Sequence, residues 1–353
     1  MKKVLTIGFM FLIILLISSS GYSQDTTIAV QSDPAGQPLV TKEKPASKWE
    51  YSVNFTGKKV SGYTEYHIKF PDNGFEGHSI LAFPLDGYSG GVNISWKKMI
   101  AKSKGQSYGF DFLMETIFAQ PKEAMVDSDW VTFVGDDDPA NRWVFSATES
   151  NAELVSFGFN CRANYVYPMN QFSSCVFGMG YRYQSYYYDV RGLSGWQEDA
   201  YYHYIILPEY YENLNVIDYK VKYHLPYVGL DINLKNREGM SLIIGGNYYF
   251  AWASDFDDHL LRYLNAESHC SGGGYTLSGA TKIKVFTFKD GRTLLLGGSY
   301  DLTRIKTTGT QVQYIYGDDP DTPEEEIITT YSGIDNTISL KQKTITAHLE
   351  YQF

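Results

Sequence analysis

The chain has 353 residues and sets 40 acidic side chains against 30 Lys and Arg, a formal charge of −10. That balance argues against a nucleic-acid partner and favours cationic ones through electrostatic steering. Thirty Tyr, 20 Phe, six Trp and 32 Gly, with three Cys, exclude a disulfide-framework protein and suit either a soluble β-sandwich or a barrel with aromatic girdles.

The chain opens with a basic pair, Lys2 and Lys3, an apolar run from Val4 to Ile17, and a small-residue stretch at Gly21-Tyr22-Ser23. Residues 1–23 therefore read as a secretory signal peptide. The run is shorter than the ~20 residues a spanning helix needs. No Cys stands at the cleavage site, which speaks against a lipid anchor there. Residues 24–48 are polar, with three prolines, and read as a flexible lead-in. From residue 49 onward the pattern is strand.

Ten strands are expected, near 50–70, 78–99, 106–119, 150–168, 171–190, 214–236, 239–254, 272–289, 292–313 and 335–353. Short turns at 100–105, 167–170, 235–239 and 289–292 alternate with longer loops at 120–149, 191–213, 255–271 and 314–334. Such alternation belongs to an up-and-down membrane barrel rather than a Greek-key sandwich. At the C-terminus Ile345, Ala347, Leu349, Tyr351 and Phe353 alternate with Thr344, Thr346, His348, Glu350 and Gln352. One apolar and one polar face is what a strand between lipid and a wet lumen requires. The expected fold is all-β, a ten-stranded antiparallel transmembrane barrel over residues 49–353. Cys161 and Cys175 fall on adjacent strands, where they either pair or serve as small apolar strand residues.

Two acidic segments carry the candidate chemistry. "MVDSDW" (125–130) puts Asp127 and Asp129 on one side of an extended chain, at the second outer loop or the strand end feeding it. "DFDDH" (255–259) falls on the fourth outer loop, at the same rim. Close carboxylates push one pKa up, so the aspartate pair could share a proton. His259 can act as general base, with Asp257 fixing its tautomer, on a water held against the pair. A protonated Asp would then stabilise the oxyanion of a peptide carbonyl. The rival readings are solvated loops, a calcium site that also uses Asp136, Asp137 and Asp138, and zinc. The calcium reading lacks an EF-hand spacing and the zinc reading lacks paired histidines.

Together these segments resemble the omptins, ten-stranded outer-membrane endoproteases. "MVDSDW" is similar to the family's Asp-x-Asp-Trp segment and "SDFDDH" to its Ser-Asp-x-Asp-acidic-His segment. "IDYKVKYHLPYVGL" (217–230) and "FGMGYRYQSYYYDVRG" (177–192) are similar to two of its middle strands. "TGKKVSGYTEY" and "FPLDGYSGG" resemble the first two more distantly. The resemblance implies an outer-membrane location with the site facing outward, and endoproteolysis after Arg or Lys. Its catalytic residues would be Asp127, Asp129, Asp257 and His259, and no metal or organic cofactor would be needed. Asp255 would receive the basic side chain and Met125 would wall its pocket. Ser150 matches a family serine but takes no catalytic role. Expected partners are cationic peptides or proteins and outer-membrane lipid.

Two departures stand out. Tyr66 replaces the family's second acidic pocket residue, and neighbouring Glu65 would point to the other side of the wall. Of the basic residues that bind lipopolysaccharide, Lys222 matches one while Ser185 replaces an Arg, so lipopolysaccharide dependence is an open expectation. A silent barrel, acting as adhesin or structural protein, and a small-solute pore are the alternatives.

Overall fold

A computed structural model describes residues 49–353, apart from 73, 101–104, 120, 137, 199–201, 207, 237 and 318–325. The expected signal peptide at 1–23, the expected lead-in at 24–48 and Asp137 lie outside the described residues.

Thirteen strands form one antiparallel sheet: β1 (Trp49–Asp72), β2 (Phe75–Pro84), β3 (Gly87–Met99), β4 (Ser107–Ala119), β5 (Met125–Phe133), β6 (Trp143–Pro168), β7 (Ser173–Glu198), β8 (His203–Ile206), β9 (Asn215–Lys235), β10 (Met240–His259), β11 (Leu264–Thr287), β12 (Thr293–Gly317) and β13 (Glu326–Gln352). The ladder β1–β3–β4–β6–β7–β9–β10–β11–β12–β13 closes back onto β1, a ring of ten. At the other end β2 and β5 take the places of β3 and β4 between β1 and β6. β2 and β3 are thus halves of one descending strand, and β4 and β5 halves of one ascending strand. The ten-stranded barrel expected from the sequence is the fold, and ring closure leaves no place for a sandwich.

Both interruptions have local causes. Where β2 gives way to β3, Leu85 N–H still donates to the Gly62 carbonyl at 2.9 Å. Gly62 has φ +120°, and a Cβ there would run into the Lys341 carbonyl oxygen, so only glycine lets β1 bend at this level. Between β4 and β5 the chain advances from Ala119 to Met125 while the partner β6 moves only from Leu154 to Ser150. Two extra residues are absorbed there, and because the insertion is even, the inward parity of β5 is kept.

The wall alternates as a membrane barrel should. On β13 Ile345 and Leu349 point outward, 60% and 43% exposed, while Thr346 and Glu350 point inward at 7% and 6%. Outward Leu230, Ile232 and Leu234 on β9 and Ile244, Phe250 and Trp252 on β10 continue the apolar band. β7 is 26 residues long, about 85 Å of extended chain, whereas crossing a bilayer takes only about ten residues. The barrel therefore stands well clear of its apolar band on the β2/β5 side.

That height corrects the expected loops. The segments 120–149, 191–213, 255–271 and 314–334 are largely strand, because a chain rising beyond the band still has backbone groups that a neighbouring strand can satisfy. "MVDSDW" is the start of β5 and "DFDDH" the end of β10. Cys161 and Cys175 are free thiols on β6 and β7.

The interior is filled in layers. Within the band, Glu115 is hydrogen-bonded by Lys58 and lies 3.7 Å from Arg182. Above them comes an aromatic layer of Tyr66, Phe83, Tyr186, Tyr188, Tyr219 and Tyr223, none more than 2% exposed. The rings of Phe83 and Tyr219 stack at 4.0 Å. This layer is the floor of the mouth on the β2/β5 side.

Candidate active site

Period-2 geometry delivers the acidic residues to the mouth. On β5, Met125, Asp127 and Asp129 face inward and are buried. On β10, Asp255, Asp257 and His259 do the same. Val126 and Phe256, between them, face out. The register runs from Tyr66 on β1 to Leu81 on β2 to Asp127 on β5, so these three share one wall. β10 lies four strands from β1 around the ring, on the facing wall.

Three contacts tie the walls together, and a fourth, between His259 and Asp257, lies within β10. Tyr66 donates its hydroxyl to Asp257 Oδ2, and the same hydroxyl lies 3.4 Å from His259 Nε2. His259 Nε2 is 2.9 Å from Asp257 Oδ2. Arg262, in the turn after β10, brings its guanidinium to 4.0 Å from Asp127 Oδ2. Its own N–H caps the His259 carbonyl at 2.9 Å. The two acidic segments, about 130 positions apart in the chain, therefore meet across one opening.

Burial and crowding set the charges. Asp127 is pushed up to about 7, first by burial and then by the charge of Asp129, with Arg262 and His259 pulling the other way. Asp255 is likewise pushed up to about 7 by burial, although it accepts hydrogen bonds from Ser268 and from Tyr219, the latter at 3.3 Å. For His259 burial favours the neutral ring. The charge and hydrogen bond of Asp257, with help from Asp127, outweigh it and raise the pKa above the usual value. Because Nε2 is turned to Asp257, Nδ1 is the nitrogen left to accept a proton.

The remaining expected residues fall as follows. Met125 is buried at the foot of β5 and pairs across to Ser150 on β6. Among the described residues no histidine hydrogen-bonds to Ser150. Glu65 points outward, 3.6 Å from Lys341. Lys222 faces outward on β9, half-buried, opposite Ser185 on β7. Asp136 and Asp138 build a turn: Asp136 accepts from the Asp138 N–H at 3.0 Å and from Asn141 at 2.8 Å. Sequence reasoning missed Arg262 and Tyr219. It noted Tyr66 only as a missing acid. The signal for Arg262 was its position three residues after His259, at a hairpin tip.

No protein-family model matches the chain, and a search of curated proteins returns no match. Solved structures do. The outer membrane protease OmpT from Escherichia coli superposes with a TM-score of 0.64 at 16% identity, covering 93% of this chain and 99% of that one. The fold is that of an outer-membrane β-barrel. The translocator domain of the autotransporter NalP from Neisseria meningitidis matches at a TM-score of 0.37 and 10% identity, over 88% of this chain and 91% of that one. At 16% identity the likeness to OmpT carries the architecture alone, and the chemistry of the mouth has to be argued from its own residues.

Proposed function

We propose that this chain is an outer-membrane endopeptidase of omptin type, with its active site at the outward mouth of the barrel. The observation that carries the reading is the meeting of β5 and β10. A buried Asp–His pair at 2.9 Å and a carboxyl group pushed up to about 7 face each other at one opening. Charges this costly to bury, held on rigid strands rather than loops, are the mark of a site tuned for proton transfer.

The chemistry follows from the roles. Neutral His259 accepts a proton from a water molecule as the water oxygen bonds to the peptide carbonyl carbon. Asp257 stabilises the resulting imidazolium. Protonated Asp127 donates a hydrogen bond to the carbonyl oxygen as it gains negative charge, and Asp129 holds the water. The imidazolium then passes its proton to the amine nitrogen as the C–N bond breaks, leaving a carboxylic acid and a free amine. Asp255, ionised by the arrival of a cation, receives an Arg or Lys side chain, with Met125 as the apolar wall. The interior layers support a mouth-sited function over conduction: Lys58, Glu115 and Arg182 are interlocked, with the aromatic floor above them.

The test is cleavage of a fluorogenic peptide containing Arg-Arg or Arg-Lys by refolded protein, with and without lipopolysaccharide. Cleavage on the carboxyl side of the basic residue, lost in Asp127→Ala and His259→Ala, is the expected result. Full activity in both variants would remove the site from these residues. A dependence on lipopolysaccharide that weakens in Lys222→Ala would assign the outward face of β9 a lipid-binding role.

A further inference from the structure

Asp257 is the most enclosed charge of the mouth, with no exposed surface. Its Oδ2 is contacted by two groups from opposite walls, the Tyr66 hydroxyl and the His259 ring, and among the described residues no side chain or backbone group bonds Oδ1. A buried carboxylate needs hydrogen-bond donors to stay charged. Among the described residues the phenol of β1 supplies one of two. Tyr66 is itself held: it is 2% exposed, its ring lies 5.5 Å from that of Tyr219 and 6.4 Å from that of Phe83, and it has no room to turn away.

We propose that Tyr66 is a positioning residue of this site, whose hydroxyl fixes the Asp257 carboxylate against His259 and shares its charge, thereby setting the pH at which His259 can accept a proton. The inference rests on the hydrolytic reading of the mouth, but it concerns an equilibrium that can be measured without substrate. The direction follows from electrostatics. While the phenol O–H draws on the negative charge at Oδ2, less of it is left to stabilise the imidazolium. Removing the phenol gives that charge to the ring alone, so His259 holds its proton to higher pH. The other charged groups that bear on His259 directly are Arg262 from the following turn and Asp127 from β5, with Asp129 acting on Asp127 and Asp255 lying beside Asp257 on the same strand. None of them changes in a Tyr66→Phe variant, which also keeps the ring packing of the floor.

The experiment is a titration of the His259 ring carbon–proton signal by NMR in refolded, isotope-labelled protein, for wild type and Tyr66→Phe, with the pH profile of peptide cleavage run alongside. In Tyr66→Phe the His259 midpoint should rise by about one pH unit, as expected for loss of one hydrogen bond to a charged group. The acid limb of the cleavage profile should move up with it. A second variant carries 3,5-difluorotyrosine at position 66, a stronger donor of the same shape, and should move the midpoint down. If Tyr66→Phe fails to fold, the fluorinated variant decides the matter. Unchanged midpoints in the folded variants would overturn the proposal and leave the hydrolytic reading standing. A wild type that titrates as described but cleaves no peptide would remove the hydrolytic reading and leave the Tyr66–Asp257–His259 linkage intact.

Discussion

The barrel buries charge at two levels, and it treats them differently. Within the apolar band two acids have their cations, Glu115 against Lys58 and Arg182 and Asp231 accepting from Arg162 at 2.5 Å, while Asp111 and Asp301 accept from the neutral side chains of Asn164 and Ser299. At the mouth, Asp127, Asp129, Asp255 and Asp257 crowd together with one imidazole and a guanidinium at 4.0 Å. The paired level is what a lumen closed by side chains needs, since a buried ion left alone costs several kcal/mol. At the crowded level burial and neighbouring carboxylates push Asp127 and Asp255 up to about 7. On the proposed function, the difference separates charges that close the lumen from charges available for proton transfer.

The largest expected effect lies at the mouth. His259→Ala should lower kcat/KM by about 10³–10⁴-fold, measured on the fluorogenic peptide, with no change in the heat-modifiable mobility that reports a folded barrel. Glu115→Gln should do the reverse. It leaves Lys58 and Arg182 without their acid and should cost about 3 kcal/mol in urea-induced unfolding from lipid vesicles, while kcat is unchanged.

Acid-to-amide replacement sharpens the comparison further. Asp255 has a folded-state pKa near 7, above its unfolded value. The folded chain therefore binds its proton more tightly, and this contribution to stability, complete below pH ~4, is lost as pH rises toward 7. Asp255→Asn should consequently gain on the order of 1 kcal/mol at pH 8 in the same unfolding assay, where Glu115→Gln loses stability. The rate should be bell-shaped in pH, requiring His259 neutral and Asp127 protonated. The alkaline limb should lie near the Asp127 value of about 7. The smallest effect belongs to Arg262→Gln. It removes a half-exposed cation beside Asp127, and the alkaline limb should move up by less than one pH unit because solvent screens the pair.

Much of this arrangement was legible in the sequence. The alternation from Thr344 to Phe353 announced a lipid-facing strand, and the two-residue spacings Asp127/Asp129 and Asp257/His259 placed each pair on one face whatever the exact register. What misled was the region beyond the apolar band. There Ser254 and Asp258 face outward among polar surroundings, so the apolar–polar contrast that marks a strand fades and the segment reads as loop. The continuation of β4 into β5 was hidden by the two inserted residues, which break the pattern without breaking the wall. Tyr66 and Arg262 were illegible for another reason. The Tyr66–Asp257 contact joins residues 191 positions apart, and only closure of the ring decides that they touch.

The most direct test of the central claim, that β5 and β10 work as one unit across the mouth, is a double-mutant cycle on peptide cleavage with Asp127→Ala, His259→Ala and the combined variant. Each single change should remove nearly all activity, and the combined variant should fall no further, because a unit already broken cannot be broken twice. Losses that instead multiply, or cleavage that persists in both single variants, would contradict the account.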